Sequence, residues 1–323
     1  MEHRYPEVFS TFRLGGLELR NRIVVPPMLQ VRPITSPQGI GWYRRMAAGG
    51  AGWVTVEVTS VLRFGGELTV QALRPLVEAI HDEGAGAGIQ LFPVQFGAAQ
   101  DPDVPSVSQI EETYEAYARA AVICKEAGFD AVEPHGAHGY LINQFFMPDR
   151  NRRADEYGGS LENRCRLGVR IVQRIRKAVG EGYLIFYRHT PVGKAYGMEE
   201  SLELGRRLVE AGVNVLDMSP AKQSVEADLA APFKRFGVPV IAVNGMENPE
   251  AAAAALRGGR CDLVAVGRAL IADAQWPMKV KEGRVDQIVQ CTKCDQGCFG
   301  HLKTMEPVYC VTWKKDEVGP YVR

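Results

Sequence analysis

The stretch of sequence that decides the fold runs from Gly128 to Tyr140 and reads Gly-Phe-Asp-Ala-Val-Glu-Pro-His-Gly-Ala-His-Gly-Tyr. Its first glycine ends a predicted helix, because glycine adopts left-handed backbone angles at little cost. Residues 131–134 are predicted to form a short buried strand, and a polar loop follows it directly. The stretch therefore predicts a helix–strand–loop unit with two histidines and a tyrosine at the carboxyl end of its strand.

The same alternation of strands and helices recurs along most of the chain. The eight predicted strands cover residues 23–25, 52–57, 88–91, 131–134, 184–188, 213–218, 239–243 and 263–266. Predicted helices include residues 111–127, 163–179, 198–211 and 248–256, the last beginning after Asn248 as N-cap, with Pro249 in its first turn. Eight such units favour a closed (β/α)8 TIM barrel over an open doubly wound sheet. No Gly-x-Gly-x-x-Gly follows the first strand, which also counts against a dinucleotide-binding fold there. We expect the barrel to span residues 1–286.

The composition is that of an ordinary globular protein. The 323 residues are 46% hydrophobic and 24% charged, and the net charge is zero. This balance gives no indication of a nucleic-acid or membrane partner. No signal segment and no run long enough for a transmembrane helix stands out in the sequence. We therefore expect a cytoplasmic protein whose cysteines are reduced.

A cluster of cysteines follows the predicted barrel, in residues 287–323. Cys291, Cys294, Cys298 and Cys310 have the spacing Cys-x2-Cys-x3-Cys-x11-Cys. In a reducing compartment these thiolates are predicted to be metal ligands, and their spacing fits both a zinc site and an iron–sulfur cluster. The remaining three cysteines lie in helical patterns or beside the last strand and are expected to be buried apolar residues: Cys124, Cys165 and Cys261.

Polar residues stand at the carboxyl ends of the predicted strands, where barrel enzymes carry their chemistry. They are Glu57, Gln90, His135, His138, Tyr140, Arg188, Lys222, Asn244, Gly245, Gly267 and Arg268. Glycines after the last two strands of such barrels often bind phosphate through backbone N–H groups, and an arginine can pair with it bidentately. Two histidines can donate hydrogen bonds to one substrate oxygen, and a tyrosine can deliver a proton. The alternative is that the histidines hold a structural metal or only satisfy the loop.

Three stretches together resemble the old yellow enzyme family of FMN-dependent ene-reductases. The most specific is His-Gly-Ala-His-Gly-Tyr-Leu, followed by Asn151-x-Arg-x-Asp-x-Tyr-Gly-Gly-Ser-x-Glu-Asn-Arg164. The opening stretch that ends in Val-Val-Pro-Pro27-Met28 and the closing stretch Val-Ala-Val-Gly267-Arg268 are similar to the first and last strands of that family. The cysteine segment is similar to the 2,4-dienoyl-CoA reductase and trimethylamine dehydrogenase branch, whose members carry a [4Fe-4S] cluster.

The resemblance implies an FMN on the carboxyl-terminal face of the barrel. Pro27 and Met28 would border the flavin, Val58 and Gln90 would contact its ring system, and Arg188 would lie near N1 and C2=O. The phosphate would be held by four residues after the last two strands: Gly245, Met246, Gly267 and Arg268. Leu29 stands where many members have a threonine or cysteine, so this flavin would have a different reduction potential.

The resemblance also implies a reaction. His135 and His138 would bind a carbonyl oxygen conjugated to a C=C bond, the β carbon would receive hydride from flavin N5, and Tyr140 would protonate the α carbon. The substrate would be an α,β-unsaturated carbonyl compound, an enoyl- or dienoyl-CoA being one candidate. The alternatives are an oxidative amine demethylase, a barrel subunit that only relays electrons, and a zinc-stabilised barrel lyase without flavin.

The source of electrons is a separate expectation. Relatives with the cluster continue into FAD- and nucleotide-binding domains, whereas this sequence ends at Arg323. We therefore expect the [4Fe-4S] cluster to relay electrons to FMN from an electron-transfer flavoprotein or reductase subunit, with direct reduction by NAD(P)H as the alternative. A homo-oligomer is also compatible with the resemblance, since family members often form dimers or larger rings.

Overall fold

Eight parallel strands close into a barrel, as the sequence predicts. The computed structural model describes residues 4–95, 98, 100–220 and 229–314. The barrel strands are β3 (Ile23–Val25), β4 (Trp53–Ser60), β5 (Gly86–Phe92), β6 (Ala131–Gly136), β7 (Leu184–His189), β8 (Val215–Met218), β9 (Val240–Val243) and β10 (Leu263–Ala265). Each strand pairs with the next in the chain, and β10 pairs with β3 to close the ring. The (β/α)8 prediction is confirmed.

Helices surround the barrel and cover the outer face of the sheet. They are α1 (Pro6–Phe9), α2 (Pro37–Ala48), α3 (Val70–His81), α4 (Val107–Ala127), α5 (Leu141–Phe146), α6 (Leu161–Val179), α7 (Met198–Glu210), α8 (Pro249–Arg257), α9 (Arg268–Ala272), α10 (Trp276–Lys281) and α11 (His301–Thr304). Short 3-10 helices lie at Val61–Arg63, Ala231–Phe236 and Val285–Gln287, and a π-helical turn at Gln296–Gly300. None of the described helices is long and apolar enough to cross a membrane.

A hairpin that the sequence did not predict closes the amino-terminal end of the barrel. Its strands, β1 (Phe12–Leu14) and β2 (Leu17–Leu19), pair antiparallel, and Leu14 and Leu19 pack into the barrel interior beside Trp53. Two glycines of β5 make room for the indole, because a Cβ at Gly86 would lie 2.5 Å from Trp53 Cε3, and one at Gly88 would lie 2.8 Å from Cζ2. This end is therefore filled with apolar side chains, which leaves the opposite end for polar groups.

The helix signals in the sequence are largely confirmed. Asn248 accepts hydrogen bonds from the backbone N–H groups of Glu250 and Ala251, and Pro249 begins α8. Gly128 ends α4 with a left-handed φ of 103°. The predicted start of α4 at residue 111 is late, because Ser106 and Gln109 form a reciprocal capping box that begins the helix at Val107.

The cysteine segment packs against the barrel loops. Val308 N donates to Gln30 O at 3.1 Å, and Arg32 Nη2 donates to Val308 O at 2.9 Å. Trp313 is buried and its Nε1 donates to Ile271 O at 2.7 Å. The described part of the segment is therefore anchored to the loop after β3 and to α9, while the division into domains at residues 286 and 287 stays a prediction.

Candidate functional site

His135, His138 and Tyr140 converge at the carboxyl end of β6. The ring centroid of His135 is 5.3 Å from that of His138 and 5.2 Å from that of Tyr140. Phe92, the last residue of β5, packs edge-on against Tyr140 at 5.6 Å. The three polar rings predicted from the sequence therefore line one small volume at the mouth of the barrel.

The loop holds this arrangement through an unusual backbone. His138 has a φ of 60°, a left-handed conformation that is uncommon for residues other than glycine. Its backbone N donates to Thr190 Oγ1 at 2.9 Å, and Gly139 N donates to Asn143 Oδ1 at 2.8 Å. Tyr140 then becomes the N-cap residue of α5. The side chains of Thr190, just after β7, and of Asn143 in α5 thus hold the loop in a shape that places both histidine rings together.

Both histidines are neutral at neutral pH. Burial lowers the pKa of His135 well below its usual value, and the neighbouring His138 and Arg188 lower it further. Burial and the Arg188 guanidinium lower the pKa of His138 to about 3. Each ring therefore offers one N–H group and no charge. His135 Nδ1 is buried and has no hydrogen-bond partner among the described residues, which fits a group that binds an oxygen from outside the chain.

Arg188 is buried behind the histidines. Its Nε lies 3.3 Å from Asp217 Oδ2, and its Nη2 donates to Ser219 Oγ at 3.0 Å. The ion pair with Asp217 corresponds to the ordinary salt bridge that is the alternative role for an arginine here. Together with the hydrogen bond to Ser219, it holds the Arg188 side chain in place near the carboxyl end of β7.

Two buried carboxyl groups, those of Asp217 and Glu133, lie near Arg188. Glu133 was not singled out from the sequence. Gln90 Nε2 donates to Glu133 Oε1 at 2.7 Å. Burial and the charge of Asp217 raise the pKa of Glu133 to about 8, and Arg188 opposes the shift. The signal in the sequence was an acidic residue inside an otherwise apolar strand. Gln90, predicted to reach the flavin, is thus tied to a carboxyl group whose pKa burial raises.

Glu57 stabilises the first loop of the site. Its Oε2 accepts hydrogen bonds from Gln30 N at 2.8 Å and from the Tyr43 hydroxyl at 3.0 Å. Burial raises the pKa of Glu57 to about 7. This carboxyl group lies inside β4, three residues before the strand ends at Ser60, and not at the strand end as predicted; it binds the backbone that follows Met28.

The residues predicted to border a flavin are half-buried, whereas the strand residues beside them are buried. Pro27 and Met28 are partly exposed after the fully buried β3. Val58 is the one residue of β4 that is not buried. Partly exposed apolar side chains at the mouth of a barrel fit the flat ring system of a flavin, which is itself largely apolar.

The predicted phosphate residues lie on neighbouring loops. Gly245 has a left-handed φ of 74°, and a Cβ added there would meet nothing within 4 Å. Met246 is buried, and a Cβ at Gly267 would lie 3.6 Å from Met28 Sδ, so the last loop touches the first. Arg268 Nη1 donates to Asp295 Oδ1 at 2.8 Å. Arg268 therefore bridges the glycine loops and the cysteine segment.

The four clustered cysteines line one pocket. Arg268 and Ile271 contribute to its wall on the barrel side. Hydrogen bonds from the Gln296 backbone and the Thr292 side chain lower the pKa of Cys294. Four thiol groups around one cavity fit a cluster or a metal ion in their donor chemistry. Among the described residues, no three His, Cys, Asp or Glu side chains are placed closely enough to hold a single metal ion.

The other predicted positions have simpler roles. Cys124, Cys165 and Cys261 are buried and unpaired with one another, as expected of apolar core residues. His189 is buried, and its Nε2 lies 2.9 Å from Ser201 Oγ, so it belongs to the barrel wall. Lys222 lies outside the described residues.

Comparison with known proteins gives a consistent result. Residues 94–287, more than half of the chain, match the family model of the NADH:flavin oxidoreductase / NADH oxidase family. An NADH oxidase of Thermoanaerobacter brockii is 36% identical over 92% of this chain and 54% of its own length. A cinnamate reductase of Clostridium sporogenes is 28% identical over 96% of this chain and 58% of its own length. A solved 2-naphthoyl-CoA reductase complex superposes with a TM-score of 0.86 at 25% identity, over 98% of this chain and 58% of that one. The chain thus spans little more than half the length of these relatives.

Proposed function

Because the chain belongs to the NADH:flavin oxidoreductase / NADH oxidase family, we propose that it is an FMN-dependent oxidoreductase that reduces C=C bonds conjugated to a carbonyl group. The observation that carries the proposal is the convergence of His135, His138 and Tyr140 at the barrel mouth. Two neutral hydrogen-bond donors and one phenol are the groups that such a reaction needs. The names of two relatives agree with this substrate class, since cinnamate and 2-naphthoyl-CoA both contain a carbonyl group conjugated to a carbon–carbon double bond.

The two histidines bind the carbonyl oxygen of the substrate. As the β carbon accepts hydride, negative charge develops on that oxygen, and hydrogen bonds to it become stronger. Preorganised donors in a buried site stabilise this charge without reorganisation of water. The strained loop at His138 and the buried ring of His135 supply the rigidity that such donors require.

Tyr140 delivers a proton to the α carbon. Burial raises the pKa of Tyr140 above its usual value, so the hydroxyl is protonated at neutral pH. Its ring packs against both Phe92 and His135, at centroid distances of 5.6 and 5.2 Å. The phenol is therefore positioned beside the group that binds the substrate oxygen, within reach of the adjacent carbon.

FMN, when bound, would supply the hydride. Pro27, Met28 and Val58 would contact its ring system, and Gln90 and Arg188 would provide the polar contacts. The phosphate would be bound by residues of the last two loops: Gly245, Met246, Gly267 and Arg268. The positive charge of Arg188 would favour the reduced, negatively charged cofactor.

The four cysteines would hold a [4Fe-4S] cluster. The pocket that they share supports this assignment. Arg268, which is predicted to bind the FMN phosphate, also lines this pocket and pairs with Asp295. A cluster in this position would relay single electrons to FMN from a separate electron-transfer flavoprotein or reductase subunit. Zinc is the alternative occupant, and direct reduction by NAD(P)H is the alternative route for electrons.

The test is an anaerobic reaction with a conjugated substrate. The purified holoenzyme is reduced with dithionite, mixed with cinnamaldehyde or trans-cinnamate, and followed by flavin absorbance and by analysis of the product. We expect the flavin to be reoxidised while the C=C bond is reduced. A flavin that is reoxidised by artificial dyes but by no unsaturated aldehyde, acid or thioester would contradict the proposed function.

A further inference from the structure

Ser219 lies just after β8 and joins two functional side chains. Its Oγ is 2.8 Å from His138 Nε2 and accepts a hydrogen bond from Arg188 Nη2 at 3.0 Å. Its backbone is fixed as well, since Ser219 N donates to His189 O at 2.9 Å and Ser219 O accepts from Thr190 Oγ1 at 3.1 Å. The serine hydroxyl therefore occupies a defined position between the arginine and the histidine.

The donors and acceptors in this chain of contacts can be assigned. A guanidinium group has donors only, so Arg188 uses a lone pair of Ser219 Oγ. The hydroxyl hydrogen of Ser219 is then free to point at His138 Nε2. In the opposite arrangement, with Nε2–H donating to the hydroxyl, none of the hydrogen bonds made by the described residues would use the buried hydroxyl hydrogen, which costs free energy.

We propose that Ser219 is a positioning residue that fixes His138 as the tautomer protonated on Nδ1. A neutral imidazole has a single N–H group, and its location is set by the hydrogen bond that the other nitrogen makes. With Nε2 accepting from Ser219, Nδ1 is the nitrogen that can donate to a substrate oxygen. The catalytic meaning of this tautomer rests on the proposed function, whereas the tautomer itself does not.

Thr190 supports the same arrangement from the other side of the loop. Its Oγ1 accepts a hydrogen bond from His138 N at 2.9 Å and donates to Ser219 O at 3.1 Å. The residue after β7 thus holds the His138 backbone in its left-handed conformation, and the residue after β8 holds the His138 ring. The ring is fixed in both position and protonation by two hydroxyl groups at the ends of neighbouring strands.

A second serine–histidine pair provides an internal reference. His189 Nε2 lies 2.9 Å from Ser201 Oγ, and His189 Nδ1 lies 3.4 Å from the backbone carbonyl of Gly136. A carbonyl group can only accept, so His189 also has its proton on Nδ1 and accepts from serine with Nε2. Ser201→Ala is therefore a matched control, because it removes the serine hydroxyl that contacts His189 and not the one that contacts His138.

The test is ¹⁵N NMR spectroscopy of the FMN-loaded holoenzyme labelled with ¹⁵N-histidine. The chain has six histidines, and the His138→Gln variant identifies the signals of His138 by their loss. We expect wild-type His138 to show a protonated Nδ1 and an unprotonated Nε2. In Ser219→Ala the two nitrogens should shift toward a mixture of tautomers, while Ser219→Thr retains the wild-type pattern and Ser201→Ala changes only His189.

Two results would overturn the proposal: a wild-type spectrum with the proton of His138 on Nε2, or an unchanged His138 spectrum in Ser219→Ala. The wild-type spectrum, once assigned with His138→Gln, is decisive even if the serine variants fold poorly. Ser219→Ala should also reduce an unsaturated aldehyde roughly fivefold to tenfold more slowly, the scale of one hydrogen bond. If His138 has the expected tautomer but no unsaturated carbonyl is reduced, the proposed function fails and the assignment of the tautomer stands.

Discussion

The hydroxyl group of Tyr140 is the proposed proton donor, and its removal separates proton delivery from hydride transfer. In Tyr140→Phe, the ring that packs against Phe92 and His135 is retained and only the proton donor is lost. We expect the reoxidation of reduced flavin by an unsaturated aldehyde to slow by a factor of about 10² to 10⁴, the usual contribution of a general acid. Stopped-flow absorbance of the two half-reactions measures this effect, and the rate of flavin reduction should stay the same.

The matched control for this variant is Tyr117→Phe. Tyr117 is buried in α4, and its hydroxyl makes a long contact of 3.3 Å with the backbone carbonyl of Leu91. This substitution removes a tyrosine hydroxyl away from the three converging rings, and both half-reactions should remain close to wild type. Equal reoxidation rates in Tyr140→Phe and Tyr117→Phe would show that the proton comes from another source.

Glu133 links stability to pH. Burial and the neighbouring Asp217 raise its pKa from 4.5 to about 8 in the folded protein. The folded state then binds a proton that the unfolded state releases between these values, so the free energy of unfolding falls as pH rises from about 4.5 to 8. Glu133 and Asp217 interact, so the fall belongs to the two carboxyl groups together.

Glu133→Gln should remove this contribution. We expect urea denaturation at a series of pH values from 5 to 8.5 to give a flatter dependence for the variant than for wild type. Glu126→Gln, at an exposed position of α4, should follow the wild-type dependence. The same slope in Glu133→Gln and wild type would mean that Glu133 is ionised in the folded protein.

Individual residues also show where reading the sequence stops. His135, His138 and Tyr140 could be found because they lie within six positions of each other and directly after a strand. Ser219 could not, because its partner His138 is 81 positions away and an isolated serine after a strand has no distinctive pattern. Contacts between the ends of neighbouring barrel strands depend on how the strands are aligned with each other. In short apolar strands this alignment is fixed only once the strands are paired.

Among the elements, the loop that joins α5 to α6 has a structural role. Asn151 Nδ2 donates to the carbonyl groups of Phe145 and Tyr157, at 2.6 and 2.7 Å. Arg164 Nη1 donates to Phe146 O at 2.6 Å. The stretch that carries much of the family resemblance thus fixes the carboxyl end of α5, the helix that begins at Tyr140, and positions the site indirectly.

Two adjacent glycines of this loop are expected to respond differently to alanine. A Cβ at Gly158 would lie 2.0 Å from Arg153 O, so Gly158→Ala requires a backbone shift and should destabilise the protein by about 2 to 3 kcal/mol. Gly159 has a φ of 78° and open space around its Cβ position, so Gly159→Ala should cost only about 1 kcal/mol. Urea denaturation measures both values. A larger cost at Gly159 than at Gly158 would show that backbone strain outweighs the steric contact.

The boundaries of elements were predicted less well than their number and order. The predicted strand 213–218 begins two residues later, at Val215, because the Asn214 side chain accepts hydrogen bonds from Ile185 N and Arg176 Nη2. The β1–β2 hairpin was missed because its pattern is weak and its apolar side chains are buried only by the closed barrel. In both places a tertiary contact determines the local structure.

At the scale of the whole molecule, the cysteine segment and the barrel meet at the predicted cofactor face. Gln30, which follows the residues predicted to border the flavin, accepts a hydrogen bond from Val308 N, and its own backbone N donates to Glu57. Arg268 also pairs with Asp295, and both residues line the pocket that the four cysteines share. The sequence predicted each half of this arrangement, but only the folded chain shows that two loops of the barrel contact the segment.

Removal of one thiol ligand tests whether the segment carries an electron relay. Cys294 is exposed in the shared pocket, and serine is a much poorer ligand for iron. We expect Cys294→Ser to lose its iron and the broad visible absorbance of a cluster and to retain FMN, since the predicted flavin contacts lie on the barrel. Its flavin should then be reduced more slowly than that of wild type by reduced methyl viologen, a one-electron donor. Cys124→Ala, at a buried position of α4, should keep both cofactors.

Two outcomes would contradict this prediction. Stoichiometric zinc and no iron in the wild-type protein would rule out the cluster. Reduction of the Cys294→Ser flavin by NADPH alone at the full catalytic rate would rule out the relay, because electrons would then reach FMN without passing through the segment.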